Sequence, residues 1–437
     1  MRSHAAAALL FAGLAVSALP GCDLLDESHR EFVKQQKQLF DLQKLDIVYQ
    51  VAEQQYKVGD LTKCRETLKP ALDSGTPHAK LRVLSARVEL EGGSLELAAS
   101  ELKTALAIDP SLAEPLYLLG VVYQRWQKYE TACDYYQQAC DRNPQEALYV
   151  LAVAEMRMTL GQLDKARQLL EAKVVYFEQS AAMRVALARI AELQHDPVTA
   201  SRHYRNASLL LPEDKNLRWT YAQSLYDAAK YGDAARILDE LRFDPPTLPK
   251  ASTAQAANAP ADAAAAQEAT QSVKVSILKT LGECYIALQR PLDARDCFQE
   301  ILRAQPTNVS AYLALARTSL MTDDWSGTTA AAERALRYDP QNLQAMILQA
   351  AVLQKQNKWP ESLDALDKAV RVAPRDVTVL CMRGISQRQL GRKDAATASF
   401  ETALAISPAD SWARELLDGQ KPGPTVTNAQ PTGHDAP

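Results

Sequence analysis

The chain has 437 residues, of which 23% are charged, 47% are hydrophobic and 6% are aromatic, and its formal net charge is -4. This is the composition of a globular protein. Lysine and arginine together number 49 against 53 aspartates and glutamates, so no basic excess is present to neutralise phosphates. The sequence therefore predicts no nucleic-acid partner.

The first predicted element is an apolar leader. Arg2 precedes a mostly apolar run from Ala5 to Leu19, which is interrupted by Gly13. A membrane-spanning helix needs roughly 18 or more consecutive apolar residues, and this run is shorter. A basic start followed by a short apolar run is typical of a secretory signal peptide. We therefore predict a signal peptide over residues 1–21.

The leader ends in Leu19, Pro20, Gly21 and Cys22, which resemble the lipobox of bacterial lipoproteins. The resemblance implies that the Cys22 thiol is acylated, that the chain is cut just before it, and that more than one acyl chain anchors it stably. Asp23 resembles the inner-membrane retention signal of enteric bacteria. The resemblance implies an exported, periplasm-facing protein, with the choice between inner and outer membrane left open. An ordinary cleaved leader with a nearby cysteine is the alternative.

The rest of the chain repeats with a period of 34 residues, the period of one repeat family. Segments 113–144 and 275–306 share Leu-Gly, a tyrosine, an alanine, an aromatic residue and a proline at identical spacings. Position 8 is Ala or Gly in every repeat, position 20 is small, and position 32 is usually proline. Small residues in such columns allow two helices to approach closely. The ten repeats start at Leu45, Ala79, Ala113, Ala147, Ala181, Lys215, Val275, Val309, Leu343 and Val377.

These columns resemble the tetratricopeptide repeat (TPR), a helix-turn-helix unit. The resemblance implies an all-α solenoid of about ten repeats that winds into a right-handed superhelix, with helix A of each repeat lining the inner, concave face. Helix A would present positions 2, 5, 9, 12 and 13 on that face. Stacked repeats share one apolar seam and need polar caps at both ends.

The register divides the chain into segments with separate roles. At 247–272 the step between repeats lengthens, and this Ala- and Pro-rich stretch is either a flexible linker that breaks the stack or a partly helical excursion beside a continuous stack. The predicted segments are a tether and capping helix (22–44), six repeats (45–246), the linker (247–272), four repeats with a closing helix (273–420) and a disordered tail (421–437).

The sequence predicts no active site. None of its six histidines pairs at the i, i+4 spacing of a zinc site, and no Walker loop or G-x-S-x-G elbow occurs. His195 and His203 are interpreted as structural or solvated side chains. Whether Cys284 and Cys297 form a disulfide is left open. We therefore expect no enzyme activity, no cofactor, no metal and no small-molecule substrate.

Function is expected from the concave helix-A face, because aromatic and arginine side chains are enriched on binding surfaces. Packing of some of the tyrosines between repeats remains an alternative. We predict a non-catalytic, lipid-anchored scaffold that binds a protein of the bacterial envelope, such as a component of secretion, polysaccharide export or pilus assembly. A structural factor that self-associates through its end faces is the alternative. The predicted partner-binding residues are Tyr49, Tyr56, Arg87, Tyr117, Arg125, Arg189, Trp219, Gln223, Tyr226 and Arg317.

Overall fold

The computed structural model describes residues 23–246 and 259–419, and every regular element in these two ranges is a helix. The predicted signal peptide, Cys22, the first part of the predicted linker and the predicted tail lie outside the described residues. The helices are α1 (Asp23–Lys57), α2 (Leu61–Asp73), α3 (Ala79–Glu91), α4 (Leu95–Ile108), α5 (Glu114–Arg125), α6 (Tyr129–Arg142), α7 (Ala147–Thr159), α8 (Leu163–Val174), α9 (Ala181–Leu193), α10 (Pro197–Leu210), α11 (Lys215–Asp227), α12 (Tyr231–Leu241), α13 (Ala259–Ala287), α14 (Pro291–Ala304), α15 (Val309–Met321), α16 (Trp325–Tyr338), α17 (Leu343–Lys355), α18 (Trp359–Val372), α19 (Val377–Gln389), α20 (Lys393–Ile406) and α21 (Ser411–Leu417).

The helices pair as the 34-residue register predicts. In eight repeats helix A begins within one residue of the predicted start. Side chains at the N-cap, such as Asn308 and Asp376, accept a hydrogen bond from the backbone N–H three residues later and so fix these starts. Pro110 and Pro144 lie two residues beyond the ends of α4 and α6, where no further helical N–H is needed.

Helix α1 corrects one predicted boundary. The capping helix expected over 22–44 and helix A of the first repeat form a single helix, Asp23–Lys57. No glycine or proline occurs between Asp23 and Val58, so no residue in this stretch favours a break. The first folded repeat is therefore continuous with the segment that follows Cys22.

Helix α13 is the second long helix. It begins at Ala259, so the described part of the predicted linker, 259–272, is helical. The alanines of this stretch have the highest helix propensity of all residues, and Pro260 is tolerated because it lies in the first turn. In the two described ranges no helix, including α1 and α13, is long and apolar enough to cross a membrane.

The turn inside each repeat has the same backbone geometry. Position 15 has a positive φ, between 55° and 80°, in all ten repeats. His195 occupies this position and is exposed, so the turn accounts for its place in the sequence. The ten residues are Gly59, Gly93, Gln127, Gly161, His195, Ala229, Gln289, Asp323, Asn357 and Gly391.

The predicted small columns lie at the crossing of helices A and B. All ten residues at position 8 and all ten at position 20 are buried. The helices are so close at Gly120 that an added Cβ would lie 2.5 Å from the ring of Tyr136. The all-α fold and the TPR-like packing of helix pairs predicted from the sequence are confirmed.

The chain forms two compact units, residues 1–178 and 179–437. The first contains repeats 1 to 4, and the second contains repeats 5 to 10 and α21. Within the second unit, Leu238 of repeat 6 and Ile277 of repeat 7 belong to one buried cluster, so the packing continues past the insertion. The boundary between the compact units thus lies after repeat 4 and not at the insertion of 247–272.

The cysteines in the described residues are free thiols. Cys284 and Cys297 are both fully buried, and burial raises the pKa of each thiol to about 12. Cys64 lies in the position-20 column and donates to the carbonyl oxygen of Ala52, which matches its expected role as a core residue.

Candidate protein-binding surface

In the first compact unit, helices A of repeats 2, 3 and 4 form one surface pocket. Arg87 comes from α3, Tyr117 from the first turn of α5, and Leu148 from the start of α7. The pocket has a volume of about 260 Å³ and opens to solvent. Its lining residues are Arg87, Glu114, Tyr117, Leu118, Glu146, Leu148 and Tyr149.

An ion pair forms one side of this pocket. The Arg87 guanidinium contacts the Glu114 carboxylate, and the two side chains are 37% and 40% exposed. Glu114 lies in the first turn of α5, where a negative charge is favoured by the helix dipole. Because exposed ion pairs contribute little to stability, this pair is available to exchange partners at small cost.

Two tyrosines form the other side of the pocket. The Tyr117 ring centroid lies 5.2 Å from that of Tyr149 and 5.4 Å from that of Tyr136. Tyr136 is buried, and its hydroxyl donates to Gln124 Oε1 at 2.7 Å. Burial raises the pKa of Tyr117 and of Tyr149, so both hydroxyls keep their protons at neutral pH. The rings therefore provide a preorganised, partly apolar wall.

Three other predicted residues of the first unit bond within or between repeats. The Tyr56 hydroxyl donates to Glu91 Oε1 at 2.7 Å, and burial together with this bond raises the pKa of Tyr56 to about 12. Arg125 donates to the carbonyl oxygen of Leu90 at 2.7 Å. The Tyr49 hydroxyl donates to Glu53 at 3.1 Å. Tyr56 and Arg125 thus join neighbouring repeats, which supports the packing alternative for them.

In the second compact unit the five predicted residues are exposed, packed against the core or bonded between repeats. Arg189 and Gln223 are exposed. Trp219 and Tyr226 are half-buried and pack against the core cluster of repeats 6 and 7. Arg317 donates to Glu283 Oε1 at 2.5 Å, which joins repeats 7 and 8.

Sequence reasoning missed five of the seven lining residues, Glu114, Leu118, Glu146, Leu148 and Tyr149. Glu114 and Leu148 occupy position 2, which the register assigns to the helix-A face, so a complete reading of that column would have included them. Tyr149 occupies position 3, whose side chains pack between repeats, and nothing in the sequence marks it as part of a pocket. The ring of Tyr149 is buried, and it contacts the ring of Tyr117, which lines the pocket.

The pocket has the chemistry of peptide recognition. Tyrosine and arginine are enriched in protein interfaces, and the carboxylates of Glu114 and Glu146 add charge that can select a partner. In the described residues, no group of three or more His, Cys, Asp or Glu side chains is placed to hold a metal ion.

Three stretches of the chain match families of helical repeats. Residues 86–125 match the family described as "TPR repeat", and residues 113–146 and 347–411 match families described as "Tetratricopeptide repeat". The chain therefore contains tetratricopeptide repeats, and the match to 113–146 coincides with the predicted third repeat.

One curated relative is "TPR repeat-containing protein YpiA" of Bacillus subtilis (strain 168), which is 26% identical over 148 residues. This alignment covers 33% of the present chain and 35% of YpiA. Among solved structures, "Crystal structure of MamA protein" is 18% identical with a TM-score of 0.36, covering 45% of this chain and 93% of that one. "Structure of Naa15/Naa10 bound to HypK-THB" is 15% identical with a TM-score of 0.31, covering 84% and 69%.

The matched repeats define the class of protein. Tetratricopeptide repeats build protein-interaction scaffolds and are generally non-catalytic, because stacked helix pairs offer an extended surface and no enclosed site. The helix-A pocket of repeats 2 to 4 is the candidate binding site on this scaffold.

Proposed function

We propose that the protein is a non-catalytic, lipid-anchored scaffold of the bacterial cell envelope that binds a segment of a protein partner in the helix-A pocket of repeats 2 to 4. The observation that carries the proposal is the meeting of the Arg87–Glu114 ion pair with the Tyr117–Tyr149 ring pair in one open pocket. Aromatic anchors beside exchangeable charges are what interface hot spots require.

The pocket favours a partner segment with a basic side chain next to an apolar one. Glu146 is exposed at the rim, and Glu114 lies inside the pocket, so two carboxylates can receive a lysine or arginine. The face of Tyr117 attracts a cation and also covers an apolar side chain, and the buried ring of Tyr149 lies against it. An extended segment or a helix of an envelope protein could present this pair.

Photo-crosslinking from two exposed leucines tests the pocket. Leu148 is 48% exposed and lines the pocket, whereas Leu97 is 50% exposed and lies on helix B of repeat 2. A photoreactive residue at 148 should capture a defined protein in intact cells, and the same residue at 97 should not. Equal capture from both positions would show that the pocket is not the binding site.

Charge reversal then tests the chemistry of recognition. Glu146→Lys should reduce capture from position 148 at least tenfold, because it places a like charge opposite the basic residue of the partner. Glu130→Lys, an exposed change on helix B of repeat 3, should leave capture unchanged. If both variants capture the partner as the wild type does, the proposed charge complementarity is wrong.

The lipid anchor rests on the lipobox-like sequence and on the position of the first helix. α1 begins at Asp23, one residue after the proposed acylation site, and continues without a break into helix A of repeat 1. Cys22→Ser should abolish labelling by a fatty-acid analogue and release the chain from the membrane fraction. Cys133→Ser, a half-buried cysteine of α6, is the matched control and should keep the label. Labelling that survives Cys22→Ser would refute the anchor.

Asp23 supports placement at the inner membrane, facing the periplasm. If Asp23 acts as a retention signal, Asp23→Ser should move the protein from the inner- to the outer-membrane fraction in sucrose gradients. The same distribution for both chains would remove the support that Asp23 gives to this location.

A further inference from the structure

Helix α1, together with Val58, whose backbone N–H still bonds to the carbonyl oxygen of Gln54, carries an exposed apolar stripe. Spacings of seven, seven, four and seven residues keep its five members on one helix face. None of them is less than 47% exposed, and Val58 is 69% exposed. The stripe spans about 37 Å at 1.5 Å of rise per residue. Its members are Val33, Phe40, Ile47, Val51 and Val58.

The stripe lies opposite the face that packs on the protein. Leu45 and Ala52 of α1 are buried in a cluster with Cys64 and Leu68 of α2. Ile47 and Val51 are turned away from this cluster, because Ile47 lies about 200° around the helix from Leu45, and Val51 lies about 100° from Ala52 and about 120° from Leu45. No helix in the described residues covers the stripe.

The register identifies the stripe as a stacking surface. Ile47 occupies position 3, and in all nine later repeats the residue at position 3 is buried. Leu81, for example, belongs to the cluster of repeat 1, and Ile277 belongs to a cluster with α12 of repeat 6. The side chain at position 3 therefore packs against the helix pair of the preceding repeat. In repeat 1 the same position is 62% exposed.

We propose that a second copy of this chain covers the stripe, with the two α1 helices antiparallel about a two-fold axis between Leu45 and Asp46. The stripe is nearly palindromic about that point. Antiparallel pairing places Val33 opposite Val58 and Phe40 opposite Val51, each pair occurring twice. A self-complementary patch of this kind is what an isologous dimer requires.

The residues beside the stripe fit a protein partner better than a bilayer. Four exposed glutamines, Gln36, Gln43, Gln50 and Gln54, border the apolar side chains. Amides can hydrogen-bond across a helix–helix interface, but their transfer into acyl chains without partners is unfavourable. Ile47 meets the partner's Lys44, whose aliphatic stem can cover it while the ammonium group stays in water. The dimer does not depend on the binding pocket of repeats 2 to 4.

Site-directed crosslinking tests both the contact and its direction. Two differently tagged full-length chains, one with Val33→Cys and one with Val58→Cys, are produced in the same cells and treated with a short bifunctional thiol reagent. The mixed pair should crosslink, because the two positions face each other. Val33→Cys alone should not, because its two copies lie about 37 Å apart along the helix pair. The unsubstituted chain measures the background from the native cysteines.

A charge placed on the stripe provides the matched control. Ile47→Glu should reduce the crosslink at least tenfold, whereas Leu209→Glu, at a 70% exposed leucine of α10, should leave it unchanged. Crosslinking of Val33→Cys with itself would overturn the antiparallel register. No crosslink above background in any combination would overturn the dimer. A third outcome is that no crosslink forms, the full-length chain binds vesicles of anionic lipid, and Phe40→Glu abolishes this binding. That result would assign the stripe to the membrane instead.

Discussion

The repeats fall into two groups according to how their helices cross. Repeats 3, 7 and 10 have glycine at position 8 and an aromatic ring at position 24, whereas most of the alanine-bearing repeats have leucine there. The crossing is thus filled to a similar extent by a ring against a bare backbone or by a leucine against a methyl group. The aromatic pairs are Gly120–Tyr136, Gly282–Phe298 and Gly384–Phe400, and the leucine pairs are Ala52–Leu68, Ala86–Leu102, Ala154–Leu170, Ala222–Leu238 and Ala350–Leu366.

The distances show how little space lies between the ring and the glycine in these three repeats. An added Cβ would lie 2.5 Å from the Tyr136 ring at Gly120, 2.6 Å from Phe298 at Gly282 and 2.3 Å from Phe400 at Gly384. Real Cβ contacts are not that short, so a ring or a helix would have to move. Repeats 5 and 8 depart from the rule, because buried Tyr204 lies in the same repeat as Ala188, and Ala332 occupies position 24 in the repeat of Ala316. A ring can therefore find room beside a methyl group where the local crossing allows it.

The largest effect is expected when the crossing of a glycine-bearing repeat is filled. Gly120→Trp should lower the free energy of unfolding by more than about 3 kcal/mol, the upper end of ordinary overpacking, because Tyr136 already occupies the space. Denaturant titration measures the loss. Gly232→Trp is the control, because nothing lies within 4 Å of an added Cβ there. Equal stability of the two variants would contradict the predicted register.

A single methyl group should have a smaller effect. Gly282→Ala should cost about 1–3 kcal/mol through its contact with Phe298, although alanine favours a helix over glycine. Gly232→Ala, in open space, should be neutral or stabilising by up to about 1 kcal/mol. Unfolding curves for the two variants should therefore shift in opposite directions or differ by more than the helix propensity alone. If both variants are more stable than the wild type, the Phe298 ring moves aside without a measurable cost.

The reverse change should be milder still. Ala154→Gly in repeat 4 should cost about 1 kcal/mol from helix propensity, and somewhat more because the buried methyl group loses its contacts. The same denaturant titration measures it. A cost as large as that of Gly120→Trp would mean that alanine-bearing repeats are not the more tolerant group.

The smallest effect separates tyrosine from phenylalanine among the aromatic repeats. Burial raises the pKa of Tyr136 above its ordinary value, so the folded state holds the proton that an unfolded tyrosine releases above about pH 10. This contribution to stability is complete below pH 10 and is lost as the pH rises further. Tyr136→Phe should therefore lose less stability than the wild type between pH 10 and 12. Tyr176→Phe, at an 80% exposed tyrosine, should lose as much stability as the wild type over this range. Identical alkaline slopes in all three chains would exclude a contribution from Tyr136.

Much of the fold could be predicted because three columns repeat with one period. The small residue at position 8 and the proline after helix B fixed the pairing of helices, and helix A of repeat 2 begins at Ala79 as expected. The sequence predicted a capping helix over 22–44 and left a helical excursion open at 247–272, but it did not predict that each would be continuous with the next helix A, because the register does not extend there and only local helix propensity acts. The pairing of Gly120 with Tyr136 is visible in the sequence but becomes meaningful only once the two helices are known to touch there.

The binding surface was harder to predict than the fold. Position in helix A identifies a face but does not say which side chains bond to the neighbouring repeat, as Tyr56 does to Glu91. Arg87 and Tyr117 were placed in the pocket by the register, whereas Tyr149 joined it through a contact between rings. The roles of the ten predicted residues in partner binding stay predictions.

A double-mutant cycle on Gly120 and Tyr136 tests most directly the central claim, that the ring and the backbone share one fixed space at each crossing that has glycine at position 8. Gly120→Ala alone should lower the free energy of unfolding, and adding Tyr136→Leu should restore part of the loss, because the pair then matches Ala86–Leu102 of repeat 2. A double variant more stable than Gly120→Ala is the predicted result. Losses that simply add would contradict the claim.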